Sequence, residues 1–101
     1  MHDYLVVDMK AVLDESRAGR EGAARLAAEW ERSKGLPDGA ARLEQLREQL
    51  RAPLLARVGE VVRRLAAERQ AGTVLERGAV LLCPPERDVT AAVLSALDTP
   101  T

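Results

Sequence analysis

The sequence contains very few aromatic residues: it has no phenylalanine, one tryptophan and one tyrosine among 101 residues. A hydrophobic core must therefore be built from leucine, valine and alanine, each of which buries less area than an aromatic ring. A chain of this length suits one domain, and small domains bury a low fraction of their surface. We therefore expect a single domain that completes its core by associating with further copies of itself.

Histidine and cysteine occur only once each, as His2 and Cys83. A general base must be held at a fixed position, whereas His2 lies at the end of the chain. Cys83 has no other histidine to activate its thiol, and we expect it to be buried in a strand. No cysteine and histidine cluster has the spacing of a zinc site, and no glycine-rich loop suits a phosphate. The sequence therefore predicts a protein that is not an enzyme and uses neither cofactor nor metal.

The sequence also lacks an excess of either charge, because its 15 Lys and Arg residues and 16 Asp and Glu residues give a net charge of −1. Nucleic-acid binding needs a clustered positive excess, so we expect no nucleic acid among the partners and disfavour a small nucleic-acid-binding regulator. No segment approaches the roughly 20 apolar residues that span a bilayer, and no signal peptide is recognised. We expect a cytoplasmic protein, or a periplasmic one if Met1 replaces a signal peptide that was removed.

The first third of the chain predicts a strand followed by two helices. Tyr4-Leu5-Val6-Val7 is a short apolar run that is typical of a buried strand. Residues 9–16 predict a short helix, and Ser16 heads a longer helix that extends to about residue 33. Apolar residues spaced three and four apart predict the buried face of that longer helix. These are Ala23, Leu26, Ala27 and Trp30.

A second long helix is predicted after residues 34–39, where glycine, proline and an Asp-Gly pair favour a turn. The short connection makes the two helices antiparallel. We expect a kink or a break at Pro53, because proline removes one helical hydrogen bond and clashes with the preceding turn. The apolar residues of this helix recur at spacings of three and four and form one continuous stripe. They are Leu43, Leu46, Leu50, Leu54, Val58, Val61 and Leu65.

The remaining chain predicts two strands and a last helix. The strands cover residues 73–75 and 79–83, and Gly78 supplies the turn between them. Asp88 is a suitable cap for a helix over residues 89–97. The predicted order is β-α-α-β-β-α, an α+β fold class. The predicted buried face of the last helix consists of Val89, Val93, Leu94 and Leu97.

The order and spacing of these elements resemble those of the Skp/OmpH-like family of periplasmic chaperones. The stretch from Val7 to Gly19 looks like the N-terminal signature of that family, in which a first strand leads into a short helix and a long arm. Pro53-Leu54-Leu55 resembles the start of the family's returning helix. Residues 73–82 resemble its closing hairpin, and Asp88-Val89-Thr90 resembles the Asp-Ile-Thr element before its last helix.

This resemblance implies a jellyfish-like homotrimer, in which strands of three chains share one body and a helical arm projects from each chain. It divides a single domain, residues 1–101, into a body of residues 1–16 and 54–101 and an antiparallel helical-hairpin arm of residues 17–53. Family members bind unfolded outer-membrane proteins between their arms without ATP or a cofactor. The resemblance therefore predicts an ATP-independent holdase for unfolded outer-membrane or secreted proteins. The residues expected to form the oligomer contacts are Leu5, Val6, Val7, Val74, Val80 and Leu82.

The arm carries the residues that are expected to contact a client or a partner. Trp30 lies near the tip, where it either packs against Leu43 or Leu46 or contacts a bound chain. The arginines either keep the arm soluble or attract acidic client segments, or anionic headgroups in a weak contact with a membrane surface. The candidate contact residues are Arg25, Leu26, Trp30, Arg32, Arg42, Leu43 and Leu46.

A function other than that of a chaperone is the alternative. The first arm helix, residues 17–33, is only about 25 Å long at about 1.5 Å per residue, which is short for the family. Family members are also usually basic, whereas this chain is nearly neutral. Both departures are compatible with a homotrimeric scaffold whose short arms bind one folded partner.

Overall fold

The computed structural model describes residues 4–99 and has an α+β fold that is mostly helical. The predicted first strand, the long helices and the last helix are confirmed. Across the described residues, no helix combines the length and the hydropathy that crossing a bilayer requires. The elements are β1 (Tyr4–Val7), α1 (Met9–Glu15), α2 (Arg17–Ser33), α3 (Gly39–Glu68), β2 (Thr73–Glu76) and α4 (Thr90–Asp98), with single 3-10 turns at Arg77–Ala79 and Pro85–Arg87 between β2 and α4.

Strand β1 is flanked on both edges by its own chain. It pairs in parallel with β2, from Tyr4 opposite Thr73 to Val7 opposite Glu76. On its other edge, the amide of Val89 donates a hydrogen bond to the carbonyl oxygen of Val6 at 2.9 Å. A parallel pair needs a long crossover connection, and helices α1 to α3 supply it here.

The predicted hairpin over residues 73–83 is wrong, because no second strand forms there. Arg77–Ala79 is a 3-10 turn, and Arg77 Nη1 donates to the carbonyl oxygen of Val80 at 2.7 Å. Strand β2 pairs with β1 instead, and the other edge of β1 is occupied by residues 88–89. Pro84 and Pro85 then stop any extension, because proline has no backbone N–H to donate.

The hydrophobic core lies in the body and draws on β1, α1, α3 and α4. The buried face predicted for the last helix is confirmed, since Val89 and Val93 are buried and Leu94 and Leu97 pack against the core. The C-terminal part of the α3 stripe enters the same core, whereas its N-terminal part is only half-buried along the arm. The buried cluster consists of Leu5, Val7, Val12, Val58, Val61, Val89 and Val93.

Helices α2 and α3 form the antiparallel arm. Their connection includes Gly35, whose φ of 83° is a left-handed conformation that favours glycine. Helix α3 runs without a break through Pro53, so of the expected kink or break the break is wrong. Leu50, facing Gly22 of α2, and Leu54, packed against the core, lie on the two sides of the proline. These tertiary contacts hold the helix together where its local hydrogen bonding is weakest.

The joint between body and arm is centred on Ser16, which is fully buried. As predicted, Ser16 caps α2, and its Oγ accepts a hydrogen bond from the amide of Gly19 at 3.1 Å. Residue 19 must be glycine in this arrangement, because a Cβ there would overlap the carbonyl oxygen of Leu13 in α1. The first amide of α2, from Arg17, donates to Asp98 Oδ1 in α4 at 2.9 Å. The base of the arm is therefore attached to two helices of the body.

Candidate protein-binding surfaces

The arm tip, defined here as Trp30 and Leu36, presents exposed apolar side chains. Trp30 is 53% exposed and Leu36 is 45% exposed, so the hairpin does not bury either side chain. Of the two interpretations of Trp30, the structure agrees with the exposed one. Both side chains are therefore available for contact with a partner.

The tryptophan is exposed because α2 turns a different face toward α3 than its apolar spacing predicts. Ala23 and Ala27 are exposed, so the predicted face is wrong apart from the half-buried Leu26. The face that packs combines Leu26 with small and polar residues, which hydrophobic periodicity does not reveal. The residues of this face are Gly22, Leu26, Glu29 and Ser33.

An open cleft of about 550 Å³ lies between α2 and α3 on one side of the arm. It brings together four of the predicted arm residues from the two helices, Arg25, Arg32, Arg42 and Leu46. The predicted residues Leu26, Trp30 and Leu43 do not line it. We call this surface the arginine cleft, and its lining residues are Arg25, Ala28, Glu29, Arg32, Arg42, Gln45, Leu46 and Gln49.

Glu29 is the acidic residue of the arginine cleft, and both of its oxygens are engaged. The Ser33 hydroxyl donates to Oε1 at 2.7 Å, and Arg32 donates to Oε2 at 2.6 Å and 3.1 Å. These hydrogen bonds, with the nearby charges of Arg32 and Arg42, hold the pKa of Glu29 below its ordinary value. Glu29 therefore stays ionised and uses its charge within the arm.

The other two arginines of the cleft, Arg25 and Arg42, make fewer contacts with carboxylates than Arg32 does. Arg42 uses Nε to donate to Asp38 Oδ2 at 2.9 Å, which leaves the two terminal guanidinium nitrogens outside that contact. Within residues 4–99, no ion pair involves Arg25. The cleft therefore holds guanidinium donors that its own carboxylate does not use.

An apolar groove of about 350 Å³ lies between β2 and α3 on the body. Leu55 and Leu75 are each 37% exposed beside it. Strand β2 is at the edge of the sheet within the described residues, and an edge strand offers unpaired backbone donors and acceptors. We call this surface the body groove, and its lining residues are Val7, Met9, Leu55, Val58, Gly59, Val62, Val74, Leu75 and Glu76.

The segment Val80–Cys83 adds a second apolar surface to the body. Leu81 is 94% exposed and Leu82 is 83% exposed, which makes them the most exposed large hydrophobic residues in residues 4–99. Cys83 is only half-buried and lies outside any strand, so the expected buried strand thiol is wrong. The sequence does not signal this surface, because the apolar run of residues 79–83 predicts a strand instead.

The residues predicted for oligomer contacts divide into two groups. Leu5, Val6 and Val7 are 0%, 0% and 1% exposed within one chain, so they complete its own core, and Val7 also lines the body groove. The contact role predicted for these three residues stays a prediction, because it concerns a second copy of the chain. The other three remain reachable to different degrees, since Val74 lines the body groove, Val80 is half-buried and Leu82 is exposed.

In the part of the chain that the structure describes, no group of three or more His, Cys, Asp or Glu residues is arranged to bind a metal ion. His2 lies outside the described residues. Comparison of the chain with protein-family models, with curated proteins and with solved structures gives no match in any of the three. The Skp/OmpH-like resemblance therefore stays a prediction from the sequence.

Proposed function

We propose that this protein is an ATP-independent, holdase-type chaperone whose chains associate through their bodies and bind unfolded segments of outer-membrane or secreted proteins through their arms. The observation that carries the proposal is the separation of two exposed apolar surfaces. One is the arm tip, and the other comprises the body groove and the adjacent leucines of residues 80–83. A surface on the body can join copies while the arms stay free for a client.

Self-association of the bodies is supported by the amount of apolar surface that one chain leaves exposed. Leu81 and Leu82 are next to each other and almost fully exposed, and β2 has a free edge beside the body groove. Exposed apolar surface of this kind on a small domain favours association. The number of three chains comes from the family resemblance. Light scattering should therefore give a particle of about 33 kDa, three times the chain mass of 11.0 kDa.

A matched pair of variants tests which surface joins the chains. We expect Leu82→Arg to reduce the particle mass to that of one chain without unfolding it, because the side chain is already 83% exposed. Leu36→Arg adds the same charge at the arm tip and should leave the mass unchanged. A parent protein that elutes as a stable particle of 11.0 kDa would contradict the proposed assembly.

Holdase activity is tested with a denatured outer-membrane protein that aggregates on dilution. We expect the purified protein to suppress light scattering when the two are present in equal amounts. The double variant Trp30→Ala, Leu36→Ala should suppress it less, because it removes the apolar side chains of the arm tip. Ala27→Ser, an exposed change on the same helix, is the control. Failure of the parent protein at several-fold excess rules the holdase function out.

The small apolar area of the arm favours a second candidate, a scaffold that binds one folded partner. Among residues 17–53, Trp30 and Leu36 are the large hydrophobic residues that are exposed, which is little surface for a long unfolded client. A pull-down that recovers one partner at fixed stoichiometry, together with no effect on unfolded proteins, would favour the scaffold over the holdase.

A further inference from the structure

We propose that the arginine cleft binds an acidic segment of an extended polypeptide. This inference rests on the proposed function and deepens it, because the proposed function makes the partner a flexible protein chain. The juxtaposition that carries it is the presence of three guanidinium groups from two helices around one open cleft, whose own carboxylate is already bonded to Arg32 and Ser33.

The charge balance of the cleft favours an anionic ligand. Three arginines and one glutamate line it, and Asp38 pairs with Arg42, which leaves a local charge of +1 although the whole chain carries −1. Arginine forks bind carboxylates through paired, charge-assisted hydrogen bonds. Arg25 on α2 and Arg42 on α3 approach from opposite walls, and the amides of Gln45 and Gln49 add further donors.

The shape of the cleft favours a short extended peptide. The lining residues span eight positions on each helix, from 25 to 32 and from 42 to 49, or about 10 Å along the axis. An extended chain rises about 3.3 Å per residue, so about three peptide residues fit this length. Ala28 keeps one wall low, and Leu46 offers an apolar contact for an aliphatic side chain between two carboxylates.

Other anionic partners match the cleft less well. A flat membrane surface does not enter a cleft between two helices, and it meets a chain of net negative charge. A nucleic acid needs a broad run of phosphate contacts to bind tightly at physiological salt, whereas this cleft offers a local charge of only +1. A peptide carboxylate needs only the paired donors of one or two arginines.

The experiment measures the fluorescence anisotropy of a labelled six-residue peptide that alternates glutamate and leucine. We expect saturable binding by the full-length protein that weakens as salt is raised, because salt screens charges outside a buried site. The same peptide with glutamine in place of glutamate should bind at least about tenfold more weakly, since the charge-assisted hydrogen bonds are lost.

Two double variants locate the binding site. Arg25→Gln with Arg42→Gln should weaken binding of the glutamate peptide by about tenfold or more, because both walls lose their charged donors. Arg47→Gln with Arg51→Gln is the matched control, since it removes the same charge from residues on a different side of the arm. The affinity of the control for the peptide should lie within about twofold of the parent's affinity, because distant charges are screened by salt. Arg32 is left intact because it also bonds Glu29.

Several outcomes would overturn the inference. These are equal binding of the glutamine peptide, equal loss of affinity in the two double variants, and complete displacement of the peptide by single-stranded DNA or by anionic lipid vesicles at lower concentration. Parent protein that binds neither peptide overturns it as well, whatever the variants do. Peptide binding without suppression of aggregation would refute the holdase function and leave the inference about the cleft standing. Suppression of aggregation without peptide binding would refute only the inference about the cleft.

Discussion

The body and the arm are stabilised in different ways. The eight buried hydrophobic residues of the described chain, residues 4–99, lie in the body, whereas the buried residues of the arm, residues 17–53, are Ser33 and Gly39. Four of the five ion pairs in residues 4–99 lie in the arm, and each joins residues three or four apart on one stretch of chain. The body is therefore a product of burial between distant segments, and the arm is a product of local interactions.

The magnitudes show which region carries the stability. Full burial of a valine or leucine side chain contributes about 1.5–3 kcal/mol, whereas an exposed ion pair contributes about 0–1 kcal/mol. The body must therefore supply most of the free energy of folding, and the arm depends on its attachment at Ser16 and Asp98. A region with little buried surface of its own can change its exposed residues without unfolding the chain, which suits a binding surface.

The largest expected difference between the two regions comes from adding the same charge to each. Val6→Asp places a carboxylate at a position with 0% exposure in the body, and a buried unpaired charge costs several kcal/mol, so we expect the chain to lose its cooperative unfolding transition. Ala27→Asp on the exposed side of the arm should change the unfolding free energy by less than about 0.5 kcal/mol. Urea unfolding followed by circular dichroism measures both. A Val6→Asp protein as stable as the parent would contradict the comparison.

Two glycines of α2 give a smaller effect with opposite signs. Gly19→Ala should destabilise the protein by about 1–3 kcal/mol, because its Cβ overlaps backbone of α1 at the joint with the body. Gly22→Ala should stabilise it by about 0.5–1 kcal/mol, because alanine favours the helix and its Cβ meets only the side chain of Leu50, at 3.8 Å. Thermal melting of the two variants beside the parent measures both effects. Equal shifts of one sign would show that the joint is not more tightly packed than the arm.

The smallest expected effect is a loss of stability in acid, which we expect in both the body and the arm. The Thr90 hydroxyl and amide donate to Asp88 Oδ1 at 2.6 Å and 3.0 Å and lower the pKa of Asp88 from its ordinary 3.8. A carboxyl group with a lowered pKa stabilises the fold above its unfolded pKa, and this contribution is lost as the pH falls through the folded pKa. The same sign holds for Glu29 in the arm, whose pKa is lowered from 4.5.

Urea unfolding between pH 7 and pH 2 measures this dependence, with Trp30 fluorescence reporting the arm and circular dichroism reporting the whole chain. Asp88→Asn keeps the acceptor oxygen but removes the charge, so it should flatten the acid branch of the whole-chain curve. Glu29→Gln should flatten the branch that the tryptophan reports. Unchanged curves in both variants would show that other carboxyl groups cause the loss.

Much of the arm, and the start and end of the body, could be predicted from the sequence. The cap at Ser16, the turn after Ser33, the stripe from Leu43 to Leu65 and the last helix were all predicted. Each of these depends on residues within a few positions of one another, through capping, helical periodicity or turn formation. The continuous helix at Pro53 is the exception, because it depends on tertiary contacts on both sides of the proline.

The candidate surfaces were less predictable, because they depend on which segments meet. The sequence by itself determined where helices begin and end, and that Leu5 to Val7 is a buried strand. Only the tertiary structure decided that β2 pairs in parallel with β1, that Leu81 and Leu82 stay exposed, and that arginines of two helices share one cleft. The physical reason is that caps and periodicity act over a few residues, whereas strand pairing and helix rotation follow from contacts between segments far apart in the chain.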